Sequence, residues 1–117
     1  MERAFIKGKI GDENKYTVSL PFVNQQQNAV IKPIHFRHTS PNKLIEHGLA
    51  WMMKIQQLKK YEFIQPEKVL FAYKEPEVKE GNLFAAFLDI KSQIEELGII
   101  ASDINDAEQI TDFVKQV

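Results

Sequence analysis

The residues best equipped for chemistry are acids, and they crowd one stretch of the chain. Glu75, Glu77 and Glu80 precede a helical pattern, Asp89 lies within it, and Asp103 and Asp106 follow it. Carboxylates from a strand end, a helix and the next turn can converge on Mg2+, which prefers hard oxygen ligands. Several such groups close together are what two-metal phosphodiester hydrolysis needs. Histidine offers a second chemistry. His35 and His38 make an H-x-x-H pair, with His47 further on. On an extended segment His35 and His38 point to opposite faces, which is poor geometry for one metal. The three are therefore read as surface or hydrogen-bonded structural histidines. No serine stands in a nucleophile-elbow context, and no Gly-rich phosphate loop is present. The absence of cysteine excludes disulfides and thiolate metal sites.

The elements that must position these groups follow from pattern and punctuation. Ala4 to Lys7 and Tyr16 to Leu20 read as short strands, joined as a hairpin through the turn formers Gly11, Asp12, Glu13 and Asn14. Pro21 ends the second strand, and Phe22 to Asn28 reads as a polar loop. Its glutamines are either solvated or in contact with bases or phosphates. Ala29 to His38 predicts a strand broken at Pro33. Thr39 or Ser40 then caps a helix with Pro41 at its first position, running to about Tyr61. Ile45, Leu49, Met52, Ile55 and Leu58 recur at helical spacing and should face the core. Gly48 either weakens that helix or lets a neighbour approach closely.

Lys68 to Lys74 alternates as a strand. Asn82 can cap a second helix, with Gly98 as its C-terminal stop. Leu83, Phe87, Ile90, Ile94 and Leu97 form its apolar stripe, packed in the monomer core or on a second subunit. Ser102 to Asp106 reads as a turn. Ile110 to Val117 is either a poorly alternating strand or a short helix.

Length and composition predict one α+β domain over residues 1–117, a small mixed or antiparallel sheet packed by two helices. No apolar run is long enough for a membrane span, and Met1 to Ile10 is too short and polar for a signal peptide, so the cytoplasm is the expected location. A net charge of −1 hides an asymmetry. Met1 to Tyr61 carries 10 Lys/Arg against 4 Asp/Glu, while Glu62 to Val117 carries 5 against 12. That polarity suits one basic and one acidic face.

The order of these pieces resembles the RusA family of Holliday-junction resolvases, small homodimeric endonucleases often encoded by phages and prophages. Tyr16 to Phe22 is similar to that family's opening strand with its Leu-Pro-aromatic exit, and Asn24 to Asn28 to its polar loop. The family signature runs Asp-x-Asp-Asn-Leu-x-Lys, then an aspartate, a glycine near the helix end and a paired aspartate. Asn82, Leu83, Asp89, Gly98 and Asp103 fall on it, within a likeness that spans roughly residues 16 to 113. The two acidic positions before the asparagine fall on Lys79 and Gly81, and the lysine on Ala85.

The resemblance implies a RusA-like homodimer that binds branched or duplex DNA with impaired or lost Mg2+-dependent cleavage. Lys7, Lys9, Lys32, Arg37, Lys43 and Lys54 are its candidate phosphate contacts. If cleavage survives, Asp103, Glu80 and Asp89 carry it, with Asp103 and Glu80 as metal ligands. A reading from another class is a small phage or mobile-element protein whose acidic half binds a host protein, without DNA.

Overall fold

A computed structural model describes residues 5–117. The strands are β1 (Ile6–Asp12), β2 (Tyr16–Val23), β3 (Val30–His35), β4 (Val69–Lys74) and β5 (Ile100–Asp103), and the helices are α1 (Pro41–Lys60), α2 (Gly81–Glu96) and α3 (Ala107–Gln116). A single 3-10 turn, Pro66–Lys68, leads into β4. The five strands form one mixed sheet in the order β1-β2-β3-β4-β5. β2 runs antiparallel to both β1 and β3, whereas β3, β4 and β5 are parallel to one another. The expected α+β class is what is seen, with a mixed sheet. The third helix goes beyond the expected two, and it resolves the C-terminal segment as helix rather than strand.

The hydrophobic pattern explains the layers. In β4, Val69, Phe71 and Tyr73 join the core built with α1 and α2, while Leu70 and Ala72 pack with Ile110 and Phe113 of α3 on the other face. The first five residues of β4 are all buried, as a parallel strand covered on both faces must be. On α2, Phe87, Ile90 and Ile94 are buried, and the Phe87 ring packs at a tilt against Phe36, Tyr73 and Phe84. α1 meets α2 closely at Gly48, where an added Cβ would lie 2.4 Å from Ile90 Cγ1. The α1 stripe is therefore rotated from the expected one. Leu44, Gly48, Ile55 and Leu58 are buried, while Ile45 and Met52 are half-buried and Leu49 is exposed. Periodicity missed this phase because glycine carries no hydrophobic signal, yet it makes the tightest contact on the helix.

The caps behave as chemistry requires. Ser40 Oγ accepts from the Lys43 amide and Pro41 follows it. Gly98 sits just past the α2 cap with φ +100°, the left-handed conformation a helix C-terminal glycine allows. Asn82 does not cap α2. Glu80 holds the cap position without a side-chain bond, and Gly81 opens the helix at φ +82°.

Three strand limits differ from expectation. Ala4 lies outside the described residues, and β1 continues through Gly11 and Asp12 to pair with Tyr16. Pro21 lies inside β2 rather than ending it. Pro33 lies inside β3 beyond the part that pairs with β2, so on that side no ladder bond needs its missing N–H. No helix among the described residues is long and apolar enough to cross a membrane.

Candidate functional site

The parallel half of the sheet ends its strands side by side. His35 pairs with Lys74 and Tyr73 with Asp103, so the segments after β3, β4 and β5 gather at one edge. The carboxyl edge of parallel strands is where open α/β sheets hold ligands. Asp103, Glu75, Glu77 and Arg37, marked by the sequence for chemistry, lie at this edge, and His35 ends β3 there.

One part of the edge is a cleft of about 230 Å3 lined by Arg37, Lys74, Glu75, Glu77, Lys79 and Asp103, with Pro76 and Asn105. Its charges are matched in place. Lys79 Nζ lies 3.1 Å from Glu75 Oε1, and Arg37 Nη1 lies 3.3 Å from Glu77 Oε1. Three carboxylates thus face three cations, so a divalent ion finds no net attraction there. Asp103 Oδ1 accepts from the Asn105 amide at 2.8 Å, which fixes the turn after β5. Asp106 is spent as the α3 cap, accepting from the Gln109 amide at 3.1 Å. Tyr73 is buried beside this edge. Burial first, then the negative charges of Asp103 and Glu75, hold its hydroxyl protonated beyond the ordinary tyrosine range.

Asp103 is the one expected catalytic acid that lines the cleft. Glu80 is exposed at the start of α2, and exposed Asp89 accepts from Gln93 Nε2 at 3.3 Å. Glu80, Asp89 and Asp103 do not form a ligand group. Among the described residues, the set of three side chains close enough to hold one metal ion is His35, His38 and His47.

That cluster corrects the expectation that His35 and His38 point to opposite faces. β3 stops at His35, and His38 lies three residues beyond it in an irregular segment, so alternation no longer governs its direction. His47 comes from α1. One ligand atom from each lies within 4.8 Å of the others. Ring centroids are 5.1 Å apart for His35 and His38, 5.4 Å for His35 and His47, and 5.0 Å for His38 and His47. Burial, then the charges of His35 and Lys43, pull the His38 imidazole below its ordinary pKa. Burial, then His38, His35 and Lys32, do the same at His47. Both effects favour neutral rings with free ligand lone pairs. His38 Nδ1 is buried with no hydrogen-bond partner, at a cost of about 1–3 kcal/mol.

The neighbouring surface is basic. Lys32 Nζ and Lys54 Nζ lie 4.3 Å and 4.1 Å from the Trp51 ring centroid. Cations over an indole face gain from its quadrupole, but two of them there repel each other. Burial, then Lys54, lower the Lys32 pKa. Among the described residues no ion pair involves Lys32, Lys43 or Lys54. The other expected phosphate contacts stand elsewhere. Lys9 pairs with Glu13 at 3.3 Å, Arg37 belongs to the cleft, and Lys7 is exposed on β1, separated from β3 by β2.

The glutamine loop is largely occupied with itself. Buried Asn24 accepts from the Asn28 and Ala29 amides and donates to Gln26 Oε1 and Asn28 Oδ1. Sequence reasoning gave Trp51 no role, and a lone tryptophan four residues after His47 and three before Lys54 offered no motif to find it by. Comparison with protein-family models, curated proteins and solved structures finds no match to this chain.

Proposed function

We propose that this chain is a RusA-like protein that grips branched or duplex DNA by its phosphates, acts as a homodimer, and does not cut what it binds. The observation that carries the reading is the convergence of Lys32 and Lys54 on Trp51, with Lys43 further along α1 beside His38, none of them ion-paired among the described residues. Phosphate neutralisation supplies most sequence-independent affinity for DNA. α1 alone carries Lys43, Lys54, Lys59 and Lys60 against Glu46.

The loss of cleavage rests on the cleft. The resemblance puts two metal-binding acids at Lys79 and Gly81. Lys79 is a cation already paired to Glu75, and Gly81 has no side chain to offer. Asp103 remains, opposed by Arg37, Lys74 and Lys79.

The test is a mobility-shift titration of a four-way junction and a linear duplex over a series of salt concentrations, with light scattering for the dimer. Affinity should fall steeply with salt, by about 0.9 in log–log slope per phosphate neutralised. A flat response overturns the reading. So does absence of binding at low salt, which would leave the acidic half and a protein partner as the better account.

A further inference from the structure

We infer that His35, His38 and His47 form a binding site for a divalent transition-metal ion, with Zn2+ as the ion of choice. The inference stands independently of DNA binding, because it rests on the geometry and donor set of the three imidazoles alone. One atom from each lies within 4.8 Å of the other two. Zn–N bonds of about 2.0–2.1 Å in a tetrahedron put ligand nitrogens roughly 3.3–3.4 Å apart. The widest gap must therefore close by about 1.5 Å, a distance that rotation about χ1 and χ2 covers. His35 at a strand end and His38 in an irregular segment have that freedom, while His47 on α1 supplies a fixed point.

The surroundings select both the class of ligand and the number of protein donors. Imidazole suits zinc, copper, nickel and cobalt, whereas Mg2+ and Ca2+ prefer oxygen. Among the described residues no carboxylate joins the group, so the three imidazole nitrogens leave a fourth position open. That is the arrangement of a three-histidine zinc site, in which water or an anion completes the tetrahedron. His38 Nδ1, buried and without a hydrogen-bond partner, supplies an independent sign that a donor-seeking group belongs here. The opposing charges are Lys43 near His38 and Lys32 near His47. Lys43 is exposed and Lys32 only half-buried, so solvent screens their repulsion.

The experiment is titration of the untagged full chain with Zn2+ by calorimetry, and with Co2+ by visible absorption. The expected result is saturation at one ion per chain, an intense tetrahedral Co2+ spectrum, and a rise in melting temperature with Zn2+ that a chelator reverses. His38→Asn should weaken binding about 100-fold or more, since even outer-shell changes cost 10–100-fold. His35→Ala removes an exposed ring, so the fold should survive and the affinity fall by a similar factor. Lys115→Ala, exposed on α3 across the sheet, should bind as the parent does. Failure of the folded parent to take up either ion overturns the inference. Uptake that His35→Ala leaves unchanged overturns it as well.

Discussion

The two halves of the strand-end edge solve opposite electrostatic problems. In the cleft, Glu75 and Glu77 each have a cation at 3.1–3.3 Å, and Asp103 sits among the same lysines and arginine. Around α1 and β3, Lys32, Lys43 and Lys54 have no acid partner among the described residues, and His38 and His47 beside them are held towards the neutral form. Charge matched within the chain holds loops in place and gives little to an outside ligand. Charge left unmatched costs stability and is retained most readily where a partner compensates it. The difference is the reason the proposed DNA contacts are assigned to the basic face rather than to the cleft, though the acids alone had looked like the chemistry.

The largest effect expected from this contrast is on DNA affinity. Lys32→Glu combined with Lys54→Glu should lower junction binding by about 100-fold at moderate salt and flatten the salt slope by about two phosphate equivalents. Glu75→Gln with Glu77→Gln should leave binding equal or slightly tighter in the same gel-shift assay. Equal loss from both pairs would erase the distinction between the regions.

Next in size is packing. Gly48→Val puts two methyls where a single Cβ already meets Ile90 Cγ1 at 2.4 Å. Chemical denaturation should show a loss of about 1–3 kcal/mol, the usual cost of overpacking. The cleft is sharpened by Lys79→Asp, which removes the ion pair to Glu75 and turns three acids against three cations into four against two. Calorimetry should then detect Mg2+ binding that the parent lacks.

The smallest effect is at the Arg37–Glu77 pair, whose side chains are 45% and 75% exposed. A double-mutant cycle there should give under about 1 kcal/mol. A pH effect belongs to the other region. His38 and His47 have folded pKa values below their ordinary ones. The unfolded chain therefore binds more protons as pH falls below about 6.5, and stability drops from that point downward. Melting curves in chelator should show this decline, and a His38→Phe, His47→Phe double variant should flatten it.

Much of the frame was legible in the sequence, because local rules and tertiary needs agree there. Ser40 and Pro41 announce α1, Gly98 stops α2, and Phe87, Ile90 and Ile94 name its buried face. Pro21 and Pro33 misled because proline is tolerated in a strand wherever the missing N–H faces no partner, and pairing was invisible. The acids were legible as residue types, but their neutralisation was not. Arg37 comes to Glu77 from a different loop, and no spacing rule connects them. The proximity of the three histidines was hidden for a related reason. The alternation rule was carried past His35, where β3 ends and the chain is free to turn His38 back towards α1.

The most direct measurement is incubation of the protein with an end-labelled four-way junction at low salt, with Mg2+ or with chelator, read on native and denaturing gels. A shifted complex and intact strands are expected in both conditions. Strands nicked at the branch point only when Mg2+ is present would contradict it, and would mean that Asp103 recruits a metal despite the cations around it.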